Sequence, residues 1–132
     1  MAGEEMILAR FLWIGAGAVL GANSRYLVGL WAGSRLGVGF PYGTLWVNLT
    51  GSFILGFLAA AVSGRLNIST EVRLFLVVGF LGSYTTFSSF SVESLTLLES
   101  DSAWLGLLNL LGNNLGGLAC ALLGVFLARS IA

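Results

Sequence analysis

The sequence predicts an all-α membrane protein with four transmembrane helices, the third of them broken. Three observations lead there. Of 132 residues, 57% are hydrophobic and 9% are charged, against roughly 25% charged in a soluble domain. The mean hydropathy is +0.94. The apolar residues also gather into four stretches, each near the length of about 20 residues that a helix needs to cross a bilayer. Six acidic and six basic residues cannot coat a soluble surface. With zero net charge and no lysine, the chain carries no basic footprint for nucleic acid. The whole chain, 1–132, reads as a single domain.

The first span is predicted at 9–31. The start, "MAGEEMILAR", is acidic and runs into a full-length apolar segment, so this span is expected to be retained rather than cleaved as a leader. The second span is predicted at 43–63, after a loop holding the only proline, Pro41. The third is predicted at 72–98, with Ser69 or Thr70 as its N-cap and Glu71 suited to the helix N-terminus. The fourth is predicted at 103–128, with Ser102 placed to cap it.

The 19 glycines would weaken helices in water. In lipid they permit close backbone approach. "GAGAVLGA" in the first span and "GNNLGG" in the fourth place small residues three to four apart, as "GSFILG" does less densely in the second. This suits packing within the bundle, with a surplus available for a second subunit. Arg10, Arg65, Arg73 and Arg129 flank the side holding both termini, and Arg35, with Arg25 if it lies near the end of the first span, flanks the other. That bias is weak for the rule that sets orientation, so insertion both ways is open to this chain.

Polar groups at membrane depth face protein or water. Thr44, Asn48 and Ser52 recur at i, i+4, i+8 in the second span, and Asn109, Asn113 and Gly117 do so in the fourth, with Asn114 alongside. Each set reads as a polar stripe, with helix-to-helix hydrogen bonding as the alternative. The segment Gly82–Ser94, "GSYTTFSSFSVES", carries eight hydroxyl groups. A run that dense from Ser83 to Ser91 points to a broken or unwound helix, whose exposed carbonyls and amides bind ions. Phe87 and Phe90 lie three apart on one helical face. Aromatic ring edges are positive, so beside an asparagine amide they attract an anion without gripping it as an arginine would. Glu93 is the carboxylate well inside a span, and Arg25 is the cation of the first span. Cys120 is a lone cysteine, and with no histidine or second cysteine it offers no metal site.

These residues resemble the Fluc (CrcB) fluoride channels. "GTLWVNLTG" is similar to that family's GTLxVN motif, and "GFLGSYTTFSSFSVE" to its TTFSTFS segment. The glycine-rich start of the first span, followed by Arg25, also fits. The resemblance covers nearly the whole chain. It implies an antiparallel, dual-topology homodimer in the cell inner (plasma) membrane that exports fluoride passively through two pores. By position, Asn48 would donate to fluoride, and Phe87 and Phe90 would turn ring edges to it. Ser91 and Glu93 would belong to the polar track. Asn113 falls where members carry a polar residue in the fourth helix, and Asn109 lies one turn earlier. Arg25 would stand near a vestibule. The backbone carbonyls of Gly82 and Thr85 would hold a structural central sodium ion at the dimer interface, on the helix break. Members often read "GGLTTFSTFS", so Ser83 replaces a glycine, Tyr84 a leucine and Ser89 a threonine. The Ser83 change is expected to fall in the break itself.

Other classes fit less well. A proton-coupled multidrug exporter of the small four-helix type needs a carboxylate deep in the first span, and none lies between Arg10 and Trp31. A scaffold subunit would explain the glycines but not the polar stripes. An enzyme lacks its chemistry here, with no histidine and no paired carboxylates at membrane depth.

Overall fold

The computed structural model describes residues 2–64, 67–100 and 102–131. Arg65 and Asp101 lie outside them. The described residues are helical with no strands. Four helical stretches are long and apolar enough to cross a membrane: Gly3–Leu36, Tyr42–Ser63, Thr70–Glu99 and Ala103–Ser130.

Helix α1, Ala2–Leu36, is 35 residues long, roughly 52 Å at 1.5 Å per residue. It outruns the expected span at both ends, with Glu4 and Glu5 in its first turn and Arg35 in its last. Those charges complement the helix dipole, which continues the helix beyond its apolar stretch. Gly37 ends it in the left-handed region at φ +85°, as a glycine after a helix C-terminus does. Helix α2 is Tyr42–Gly64, and the carbonyl of Pro41 accepts its first bond from the Leu45 amide at 3.1 Å.

The third span is two helices. Helix α3, residues 70–84, begins with Ser69 as N-cap, whose hydroxyl accepts from the Val72 amide at 3.3 Å. From Leu74 to Leu81 its turns are wider, of the π type, before Gly82–Tyr84 tightens again. Thr85 and Thr86 are extended, with φ, ψ of −82°, 157° and −150°, 116°. Helix α4, Phe87–Glu99, follows. The break is thus two residues wide and falls after Ser83. Ser83 sits within a helical turn, and no described residue other than Gly37 has a positive φ. The expectation that the Ser83 change falls in the break itself is therefore corrected: the extended residues are Thr85 and Thr86. Nor are the later hydroxyls unwound: Ser91 and Ser94 donate to the Phe87 and Phe90 carbonyls one turn back, at 2.8 and 2.7 Å.

Helix α5, residues 103–130, has one wide stretch of its own at Gly112–Gly116. Ser102 occupies its N-cap position but makes no side-chain cap bond. Its amide instead donates to the Ser100 hydroxyl at 3.1 Å.

Helix α1 packs on α3, and α2 packs on the C-terminal half of α5. Glycines set both contacts. A methyl group on Gly17 would strike the Phe75 carbonyl, and one on Gly79 the Ile14 carbonyl. A methyl on Gly56 would strike the Ala121 carbonyl, and one on Gly124 the Phe53 carbonyl. These glycines are spent on contacts within the chain. Few side chains are fully buried, Val47, Leu81 and Phe90 among the apolar ones, while leucines, valines and aromatics line the outside. That is the pattern of a thin bundle solvated by lipid.

Candidate functional site

The site forms where α2 meets the break. Two extended residues leave backbone groups without helical partners, and α2 supplies one residue to answer them. The Thr86 amide donates to Asn48 Oδ1 at 2.9 Å, and Asn48 Nδ2 donates to the Thr86 carbonyl at 3.1 Å. Thr86 also caps α4, its hydroxyl accepting from the Ser89 amide at 3.2 Å. Two residues further along α2, Thr50 donates its hydrogen to the Trp46 carbonyl at 2.7 Å. Its oxygen lies 3.0 Å from the Tyr84 hydroxyl, which must then donate. Tyr84 stacks on Phe80 with centroids 5.7 Å apart. Helix α2 therefore grips the third span on both sides of its break.

From Asn48 a line of hydrogen bonds runs inward. Asn48 Nδ2 donates to Asn113 Oδ1 at 2.8 Å. Asn113 Nδ2 donates to the Asn109 carbonyl and Oδ1 at 3.1 and 2.9 Å. Asn109 Nδ2 donates to Ser94 Oγ at 2.9 Å. Asn109 is 0% exposed and Ser94 2%, so every polar atom there depends on its protein partner.

A cavity of about 310 Å³ opens beside this line, bounded by Asn48, Ser52, Gly82, Thr85, Phe87, Phe90, Asn113 and Asn114 among others. The rings of Phe87 and Phe90 meet edge to face, 5.5 Å apart at 60°. Phe90 is buried, while Phe87 is 77% exposed and stands on the protomer surface. Asn114 faces the cavity and bonds only the Leu110 carbonyl of its own helix, at 2.7 Å.

A second cavity, about 430 Å³, lies toward the α1–α2 turn and includes Thr44 and Glu93. Thr44 donates to Glu93 Oε1 at 2.8 Å, and Glu93 Oε2 is buried without a partner. Thr44 and Asn48 are one turn apart on α2, so the predicted stripe touches both cavities.

The structure thus brings together Asn48, Phe87, Phe90, Asn113, Gly82 and Thr85 of the predicted site. Asn109 stands behind Asn113 rather than at the cavity. Glu93 belongs to the second cavity, and Ser91 lines neither. Arg25 is half-buried in α1, with no ion pair among the described residues and no place in either cavity. Sequence reading missed Thr86 and Ser94. Ser94 had a signal, since it continues the face of Phe87 and Phe90 at i+7.

The break also frees carbonyl oxygens. Because the Thr86 amide turns to Asn48, it does not return to the Gly82 carbonyl one turn back. The Thr85 hydroxyl donates to the Leu81 carbonyl at 3.0 Å and leaves its own carbonyl in extended backbone. Oxygen donors at a helix C-terminus suit a hard cation, so the donor set fits the expected one.

The chain is similar to known proteins over most of its length. Residues 12–125 match the family described as CrcB-like protein, Camphor Resistance (CrcB). A protein from Rhizobium meliloti (strain 1021), named "Fluoride-specific ion channel FluC", is 52% identical over 73% of this chain and 77% of its own. One of the same name from Legionella pneumophila (strain Paris) is 44% identical over 96% of this chain and 94% of its own. Another from Chloroflexus aurantiacus (strain ATCC 29366 / DSM 635 / J-10-fl) is 47% identical over 89% and 94%. Matching that family over residues 12–125 and the Legionella pneumophila relative over 96% of its length, the chain belongs to the CrcB-like family.

Proposed function

We propose that this chain is the single-domain subunit of a fluoride-selective passive channel, working as an antiparallel homodimer with two pores in the plasma membrane. It is a channel subunit, not an enzyme, in keeping with the names of its relatives. The observation that carries the reading is the convergence of Asn48, Phe87 and Phe90 on one cavity at a helix break. That cavity is lined by asparagine amides, threonine and serine hydroxyls and two aromatic rings, with no charged side chain. A small anion can exchange water for these donors and still leave, as conduction requires.

Four features support the finer parts. Phe87 is a large ring exposed at the mouth of the cavity. A second copy packed over it would complete the wall, which accords with a dimer. The weak arginine bias accords with insertion in both orientations. The freed carbonyls of Gly82 and Thr85 are the groups that would hold a structural sodium ion. A bound cation there would add positive potential near the anion path and hold the break's backbone. Finally, Glu93 is engaged by Thr44 in the second cavity, which would form an outer stretch of the polar track, with Ser91 alongside and Arg25 drawing anions toward a vestibule.

The multidrug-exporter reading is not favoured: α1 carries acidic residues only in its first turn, Glu4 and Glu5. Fluoride efflux from liposomes, compared between the unaltered protein and Phe90→Ile, tests the channel reading.

A further inference from the structure

One group fixes the orientation of every amide in the Asn48 line. A backbone N–H can only donate, so the Thr86 amide holds Asn48 Oδ1. Asn48 Nδ2 is turned the other way, and both of its hydrogens are taken, by the Thr86 carbonyl and Asn113 Oδ1. Asn113 must then turn Nδ2 to Asn109, and Asn109 must turn Nδ2 to Ser94. The Ser94 hydroxyl ends the line by donating to the Phe90 carbonyl at 2.7 Å. The polarity runs one way, from α2 through α5 to α4. An anion entering the cavity therefore finds no free hydrogen on Asn48.

We propose that Asn113 is an amide switch. The anion replaces Asn113 Oδ1 as the acceptor of Asn48 Nδ2, and Asn113 turns its own Nδ2 to the anion. This inference rests on the fluoride-channel reading above. Turning Asn113 sets its Oδ1 against two acceptors, Asn109 Oδ1 and the Asn109 carbonyl, of which only the first can turn away. Asn109 must turn with it, giving Nδ2 to Asn113 and Oδ1 to Ser94. The Ser94 hydroxyl then donates to Asn109 and releases the Phe90 carbonyl. No proton is transferred. Only the Ser94 hydroxyl and the terminal amide torsions rotate, and the amide torsions are broad and two-fold. Three bonds within the protein are lost, from Asn48 to Asn113 Oδ1, from Asn113 to the Asn109 carbonyl and from Ser94 to the Phe90 carbonyl. Two amide hydrogens are gained by the anion. Bonds to a charged acceptor are the stronger kind, so the exchange selects for an anion that accepts hydrogen bonds well. Asn109 and Ser94 act as positioning residues: both are buried, neither lines the cavity, and each must reorient for the ion to bind. The released carbonyl belongs to Phe90, which links the switch to the ring beside the ion.

The test is a double-mutant cycle on full-length protein in liposomes, read as fluoride efflux over a range of sodium fluoride concentrations. Asn113→Ser substitutes a hydroxyl that donates or accepts by moving its hydrogen alone, so it needs no turn of Asn109. Whatever its effect on maximal flux, it should half-saturate at a fluoride concentration roughly threefold lower or more. Asn109→Asp offers acceptors only and holds Asn113 in its resting orientation. It should cut flux by about tenfold or more in the unaltered background, and by less than about twofold in the Asn113→Ser background. Equal losses in both backgrounds would attribute the effect to charge or folding and overturn the switch.

A second measurement needs no variant. With ¹⁵N-labelled asparagine, sodium fluoride but not sodium chloride should shift the side-chain amide signals of Asn48, Asn113 and Asn109 together. A shift at Asn48 without one at Asn109 overturns the switch. If the unaltered protein carries no fluoride, the channel reading fails, and these amide signals decide the switch by themselves.

Discussion

Asn48 closes the gap in the third span by bonding both backbone groups of Thr86, accepting at 2.9 Å and donating at 3.1 Å. One side chain on α2 thereby partners both backbone groups of Thr86, one of the two extended residues. It does so beside the Phe87–Phe90 pair, so the fold and the proposed anion path would depend on the same amide.

Asn48→Asp keeps the acceptor for the Thr86 amide but loses both donations and sets a carboxylate against the Thr86 carbonyl and Asn113 Oδ1. Fluoride flux is expected to be lost, and stability to fall by about 1–3 kcal/mol from the unsatisfied groups. Efflux assays and thermal unfolding in detergent would measure the two effects. Normal conduction would remove Asn48 from the pathway.

The two phenylalanines are expected to separate stability from transport. Phe90 is 5% exposed and Phe87 77%. Replacing either by isoleucine removes a ring edge and should lower flux. Phe90→Ile should also cost stability on the order of 1 kcal/mol through lost packing, whereas Phe87→Ile should leave the protomer's stability nearly unchanged. If both variants conduct normally in folded protein, the rings do not line the path.

Gly124→Ala should push α2 and α5 apart, because the added methyl strikes the Phe53 carbonyl. A loss of about 1–3 kcal/mol is expected, as for overpacked sites. Gly15 has nothing within 4 Å of the same added atom, so Gly15→Ala should be neutral. Thermal unfolding of the pair checks this, and equal stability of the two variants would contradict the packing described.

If the carbonyls of Gly82 and Thr85 hold sodium, exchanging sodium for N-methylglucamine should lower the unfolding temperature by about 2–8 °C. The same temperature in both salts would count against a cation at the break.

Much of this architecture is legible in the sequence, for identifiable reasons. Hydropathy marks the spans because lipid demands it, and Asn48 and Asn113 stand out because each is a polar residue at helical spacing in an apolar run. The position of the break is not legible. Its hydroxyls are spread from Ser83 to Ser94, and what selects Thr85 and Thr86 is Asn48, 38 residues away in the chain. Nor is the overhang of α1, since an apolar window ends where lipid ends and not where the helix does. Asn109 carries the right spacing for a pathway residue, yet the structure makes it a partner of Asn113 and Ser94. That distinction depends on which face of α5 meets α4, which periodicity within one helix cannot tell.

The first measurement is fluoride efflux from liposomes holding the purified protein, followed with a fluoride electrode and a chloride control. A selective passive channel should release fluoride rapidly, without chloride and without an imposed proton gradient. No release from well-folded protein, release of chloride alongside, or release only when a proton gradient is applied would contradict it.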